Sequence, residues 1–181
     1  MSADDTTAPA LAPVVVAVDP GLANTGVVVM AGRKIADAAT FKTKSRGRPD
    51  FESVMERGQH MAESVSALVG ELSDVEAVVI EEYEDFGGGT YRRSGVSDAL
   101  VPNRWTTPVV CALIGSRLAS LGYNVVWQRP AIVMARYRSH KGYWERKCYG
   151  LVEGDTRLTN DHVRSAACHG LAYLDGRRTA R

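Results

Sequence analysis

The chain has 181 residues, is 45% hydrophobic, and carries 22 Lys/Arg against 21 Asp/Glu, a formal net charge of +1. That length fits one domain with a substantial core, and the balanced total excludes a uniformly basic or acidic protein. No apolar run is long enough to span a bilayer, so no membrane partner is expected.

Residues 1–13 are small, acidic and proline-containing, and read as a disordered arm ahead of a domain over 14–175. Val14–Val18 is β-branched and almost wholly apolar, as in a central strand buried on both faces. Gly26–Met30 and Ile35–Thr43 follow, joined by the turn Ala31-Gly32-Arg33-Lys34, so three strands form an antiparallel meander. From Asp50 the period becomes helical: Phe51, Val54, Met55, Met61, Ala62, Val65, Leu68, Val69 and Leu72 share one stripe. Ala77–Ile80 is another buried strand. Asp85–Trp105 contains three consecutive glycines and is too long for a simple turn. Thr107–Leu121 reads as a helix with Pro108 in its first turn, and Asn124–Gln128 as a fifth strand closed by Pro130. Asp161–Leu174 is a last helix with Val163, Ala166, Ala167, Gly170, Leu171 and Leu174 facing inward, and residues 176–181 form a loose basic tail. This order predicts an α/β fold: a mixed five-stranded sheet, with three antiparallel strands and then helix-linked strands, flanked by helices.

Two buried strands run straight into acids. Asp19 follows the first and Glu81 the fourth, and Asp161 opens the last helix. If the strands are neighbours, the three carboxylates converge and repel unless a cation compensates. Oxygen ligands at that density suit Mg²⁺ or Mn²⁺, and two such ions can drive phosphodiester hydrolysis. Taken singly, Asp19 also fits a turn before Pro20-Gly21, Glu81 a solvated strand end, and Asp161 a helix cap.

Charge is also uneven. Tyr91–Tyr149 holds ten Lys/Arg against Asp98 and Glu145, a local net charge of +8, which marks an anionic partner such as nucleic acid. Arg92, Arg93 and Arg104 lie on the glycine-rich loop among Phe86, Tyr91 and Trp105, aromatics suited to stacking on an opened base. Arg129, Arg136, Arg138 and Lys141 extend the basic track. Cys111, Cys148 and Cys168 form no CxxC pair and read as buried residues in a reducing, cytoplasmic setting.

The segments AVDPGLANTGVVV (Ala17–Val29), VVIEEY (Val78–Tyr83) and NDHVRSAACHGLAYL (Asn160–Leu174), with the element order, resemble the RuvC-like Holliday-junction resolvases of the RNase H-like superfamily. The resemblance covers nearly all of residues 14–174. It implies an RNase H-like domain acting as a divalent-metal endonuclease on branched DNA, as a homodimer, with about two Mg²⁺ or Mn²⁺ ions per site, in a bacterial or phage-infected cell. Asp19, Glu81 and Asp161 would hold metal, and His162 would join them in catalysis. The chain departs from the pattern where an aspartate is expected before Ala166: Ser165 stands there. That substitution also fits a junction-binding module with impaired catalysis. A third reading comes from Asp85-Phe86-Gly87-Gly88-Gly89-Thr90, which resembles a phosphate loop of actin-like and sugar-kinase ATPases, although 181 residues leave no room for their duplicated domains.

Overall fold

The computed structural model describes residues 12–44, 50–83, 105–137 and 156–179. Its centre is β1 (Val14–Asp19), whose four middle residues are buried on both faces, as an unbroken apolar run requires. β1 pairs antiparallel with β2 (Asn24–Ala31), and β2 antiparallel with β3 (Lys34–Lys42). On its other side β1 pairs in parallel with β4 (Val75–Glu81), which pairs in parallel with β5 (Val125–Gln128). The sheet order is β3-β2-β1-β4-β5, the mixed five-stranded arrangement expected from the sequence. β3 runs in the same direction as β1, so the last residues of β1, β3, β4 and β5 lie at one end of the sheet.

Alternation along the strands sorts the core into two layers. Val16, Val18, Val27, Val29, Val78 and Ile80 face α1 (Phe51–Gly70) and α2 (Thr106–Ser120), meeting Met61, Val65, Val110, Ile114 and Leu118. α1 starts where the Asp50 carboxylate accepts the Ser53 backbone N–H at 2.8 Å, an N-cap that its short side chain favours. Val15, Ala17, Val28, Met30 and Val79 face the opposite way, toward Val163, Ala166, Ala167 and Leu171 of α4 (Asp161–Thr179). Small residues let α4 approach closely. A Cβ on Gly170 would stand 2.6 Å from the Met30 sulfur, and one on Gly26 would stand 2.3 Å from the His162 carbonyl carbon. At Gly26 the obstacle is backbone, so a side chain there would push α4 off the sheet, whereas at Gly170 the Met30 side chain would have to move.

Several expectations need correction. β5 ends just before Pro130 as expected, but Pro130 also opens a helix the sequence did not show, α3 (Pro130–Tyr137), in the first-turn position where its missing N–H costs nothing. α4 runs on to Thr179, so residues 176–179 continue a helix that the sequence suggested was a loose tail. Arg177 is ion-paired with Glu76 and Asp175 with Arg33, fastening that extension to β4 and to the β2–β3 turn. Phe51 leaves the predicted inward stripe; it is 66% exposed. Cys111 is a free buried thiol, and Cys168 is buried between α4 and the sheet. Among the described residues, no helix is long and apolar enough to cross a membrane.

Candidate active site at the ends of the parallel strands

The register sets the site. Val18 is the partner of Ile80, and Glu81 of Gln128, so Asp19, Glu81 and Gln128 end three adjacent strands in one row. Asp19 has the parity of Val15 and Ala17, and Glu81 that of Val79, so both carboxylates point to the α4 side. Glu82 takes the other parity and forms a 3.3 Å ion pair with Arg129 at the surface. That confirms Glu81 as the glutamate facing Asp19's side of the sheet.

α4 supplies the rest from one flank. His162, Ser165 and His169 stand three and four residues apart, a spacing that stacks them on one helical face. His162 Nδ1 lies 3.1 Å from Asp19 Oδ2. The Ser165 hydroxyl donates to Glu81 Oε2 at 3.0 Å. His169, buried, places Nε2 3.4 Å from the same oxygen and Nδ1 2.7 Å from Gln128 Oε1. Gly26 permits this arrangement, since its lack of a side chain lets the first turn of α4 settle beside Asp19, its cross-strand partner. Thr25 braces the loop after Asp19: its hydroxyl donates to the Gly21 carbonyl at 3.0 Å and accepts the Gly21 N–H at 3.3 Å.

The electrostatics distinguish the two acids. Burial, and secondarily the negative charge of Glu81, push the Asp19 carboxyl up to about 6 against the pull of His162. Burial also works upward on Glu81, but the hydrogen bond and charge of His169, with Ser165 and Asp19 as further donors, bring it below its ordinary value. The proton of the pair therefore resides on Asp19. The hydrogen bond to Asp19 raises His162, partly offset by its own burial. On the other side of the sheet the Cys111 thiol is pushed up to about 12 by burial and by the two carboxylates, so it is inert as a nucleophile.

Asp161 stands apart. Its side chain is 90% exposed and pairs with Arg164 at 3.2 Å, a consequence of its position roughly 100° around the helix from His162. His162 and Ser165, not Asp161, meet the strand carboxylates. Among the described residues no group of three or more His, Cys, Asp or Glu side chains is arranged to hold a metal ion. The donor chemistry nevertheless fits one. Asp19 and Glu81 are hard oxygen donors held together at a buried edge, and a cation would offset the burial and the Glu81 charge that disfavour ionised Asp19.

Of the predicted DNA contacts, Arg129 is a surface side chain bonded to Glu82, and Arg136 lies on α3. Trp105 precedes α2 and stacks on Phe51, with ring centroids 6.0 Å apart and planes inclined by 21°. Arg92, Arg93, Arg104, Arg138, Lys141, Phe86 and Tyr91, and the glycine-rich turn, lie outside the described residues. Sequence reasoning missed His169 and Gln128 as partners of Glu81. The spacing of His169 from Ser165 was the available signal; the approach of Gln128 depends on the β4–β5 register.

Three antiparallel strands followed by two parallel ones, with helices on both faces of the sheet, match the RNase H-like fold. No known protein-family profile matches the chain, and no curated protein matches it in sequence. Solved structures do. Thermus thermophilus RuvC in complex with Holliday junction substrate superposes with a TM-score of 0.66 at 18% identity, covering 92% of this chain and 96% of that one. A second Thermus thermophilus RuvC structure gives 0.65 at 17% identity over 91% and 96%. The yeast mitochondrial Holliday junction resolvase gives 0.60 at 9% identity over 94% and 84%. The fold of the chain is thus the fold of RuvC-like resolvases over nearly its whole length.

Proposed function

We propose that the chain is a metal-dependent endonuclease that cleaves branched DNA, with Holliday junctions as its substrate class. The observation that carries this reading is the convergence of Asp19 and Glu81 at the ends of adjacent parallel strands, with His162 bonded to Asp19. Asp19 and Glu81 would hold Mg²⁺ or Mn²⁺, which supplies Lewis acidity for water attack on phosphorus and neutralises the leaving oxygen. The chain's own residues do the remaining work. His162 fixes the orientation of the Asp19 carboxylate and is able to move a proton near neutral pH. Ser165 and His169 hold the Glu81 carboxylate in one position, and Gln128 steadies His169 from β5. A homodimer would present two such sites to opposite strands of a junction.

One observation favours a second reading. Ser165 occupies the position where a resolvase-like helix would carry an acid, and its hydroxyl caps Glu81 and contributes no charge. A centre one carboxylate short would bind junctions and cleave slowly or not at all. Both readings are tested by incubating the protein with a labelled four-way junction and a matched linear duplex in Mg²⁺, Mn²⁺ or EDTA, beside Asp19→Asn. Metal-dependent nicks confined to the junction, and lost in Asp19→Asn with binding retained, support the nuclease. Tight junction binding with no cleavage in either metal supports the binding module. Equal treatment of junction and duplex overturns both.

A further inference from the structure

We propose that the groove between the end of β3 and the first half of α1 seats a backbone phosphate of a DNA arm whose branch lies at the Asp19–Glu81 site. The inference rests on the branched-DNA reading above and adds cations that lie outside residues 91–149 in the sequence. The groove has a volume of about 340 Å³ and is lined by Lys42, Lys44, Ser53, Glu56, Arg57 and His60 among others. Three permanent cations thus face one carboxylate. β3 runs in the direction of β1, so Lys42 lies at the same sheet end as Asp19. The loop that follows Asp19 joins the two places, since the Leu22 carbonyl accepts a hydrogen bond from Arg57 in the groove.

Its cations are of two kinds. Arg57 is half-buried and held in place: Nε donates to Thr43 Oγ1 at 2.9 Å, and a terminal nitrogen donates to the Leu22 carbonyl at 3.2 Å. The Thr43 hydroxyl donates to the same carbonyl at 2.5 Å. Arg57 therefore offers a pre-oriented guanidinium fixed to the loop that follows Asp19, so binding there costs little side-chain ordering. Lys42 and Lys44 are exposed and free to adjust, as contacts to a mobile polyanion require. The groove is open and polar, which suits a passing backbone better than an enclosed small molecule.

The test measures junction affinity of the full chain by fluorescence anisotropy in EDTA over a salt series. Lys42→Ala, Lys44→Ala and the double variant are compared with Lys34→Ala, which removes the same charge from the far end of β3. The double variant is expected to bind about tenfold more weakly, and its slope of log affinity against log salt to fall by about one to two units, with Lys34→Ala unchanged. Unaltered affinity and slope in the double variant, while the wild type binds the junction, overturn the groove and leave the nuclease reading intact. Equal losses in Lys34→Ala overturn it too, because the effect is then one of net charge. A wild type that does not bind the junction removes the branched-DNA reading and the groove with it.

Discussion

The three residues of α4 that reach the carboxylates do different work, and substitution separates them. Ser165 is the informative one, because it donates a hydrogen bond where an acid would add a charge. Ser165→Asp should place a third carboxylate beside Glu81. In EDTA it is expected to cost about 1–3 kcal/mol through like-charge repulsion at a half-buried edge, seen as a lower Tm. In Mg²⁺ the same variant should cleave a four-way junction about tenfold faster or more, measured as initial rates. A rate that stays at the wild-type level would show that the missing acid does not limit turnover. His169 is structural in effect, since it serves Glu81 and Gln128 at once from inside the core. His169→Ala leaves both partners short and opens a void, an expected loss of about 2–4 kcal/mol in urea unfolding. His169→Gln keeps a polar group there and should recover part of it. The residue types were legible in the sequence, and the i, i+3, i+7 spacing of His162, Ser165 and His169 is a helical face. Which oxygen each would meet was not legible, because that depends on how α4 crosses the sheet.

At the scale of elements, the close crossing of α4 over β2 assembles the site, and Gly26 makes it possible. The Thr25-Gly26 step could be read in sequence as part of a motif, but its physical reason is tertiary: a Cβ at Gly26 would overlap the His162 carbonyl and the Val163 nitrogen at 2.3–2.5 Å. Backbone cannot rotate out of the way as a side-chain tip would. Gly26→Ala is therefore expected to destabilise the protein by about 2–4 kcal/mol and to abolish metal-dependent cleavage even where the variant stays folded. Thermal unfolding and junction cleavage check the two effects, and wild-type values in both would mean that α4 tolerates the shift. The strands and the three long helices were readable because their patterns repeat over many residues, with period two or 3.6. α3 was missed because Pro130 is ambiguous by nature; it stops a strand and starts a helix equally well. Phe51 was assigned inward by period alone, whereas it lies exposed in the first turn of α1, stacked on Trp105.

The whole molecule carries the cost of holding two acids at a buried edge, and that links its stability to pH and to metal. Asp19 keeps its proton up to about pH 6 when folded, against a value of 3.8 when unfolded. Between those limits the folded state binds more protons than the unfolded chain, so stability in EDTA should fall as pH rises from about 4 to 6 through this group and level off above. His162 acts in the same direction at higher pH: its raised value means that its contribution is present below 6.5 and is lost as pH climbs through the folded value. The metal-free protein is thus expected to be less stable at pH 8 than at pH 5.5 as far as this site is concerned, and Asp19→Asn should flatten the profile. Divalent ions act oppositely. A ligand that needs Asp19 ionised stabilises the fold by about 2.7 kcal/mol at a hundred times its Kd, and must displace a proton below about pH 6. Thermal unfolding with saturating Mg²⁺ or with EDTA, at pH 5 and pH 8, separates these effects. The wild type should gain markedly from Mg²⁺ at pH 8 and little at pH 5, and Asp19→Asn little at either. A Mg²⁺ gain that is the same at both pH values, or that survives Asp19→Asn, would place the ion elsewhere and leave the buried carboxylate pair as a structural feature of the fold.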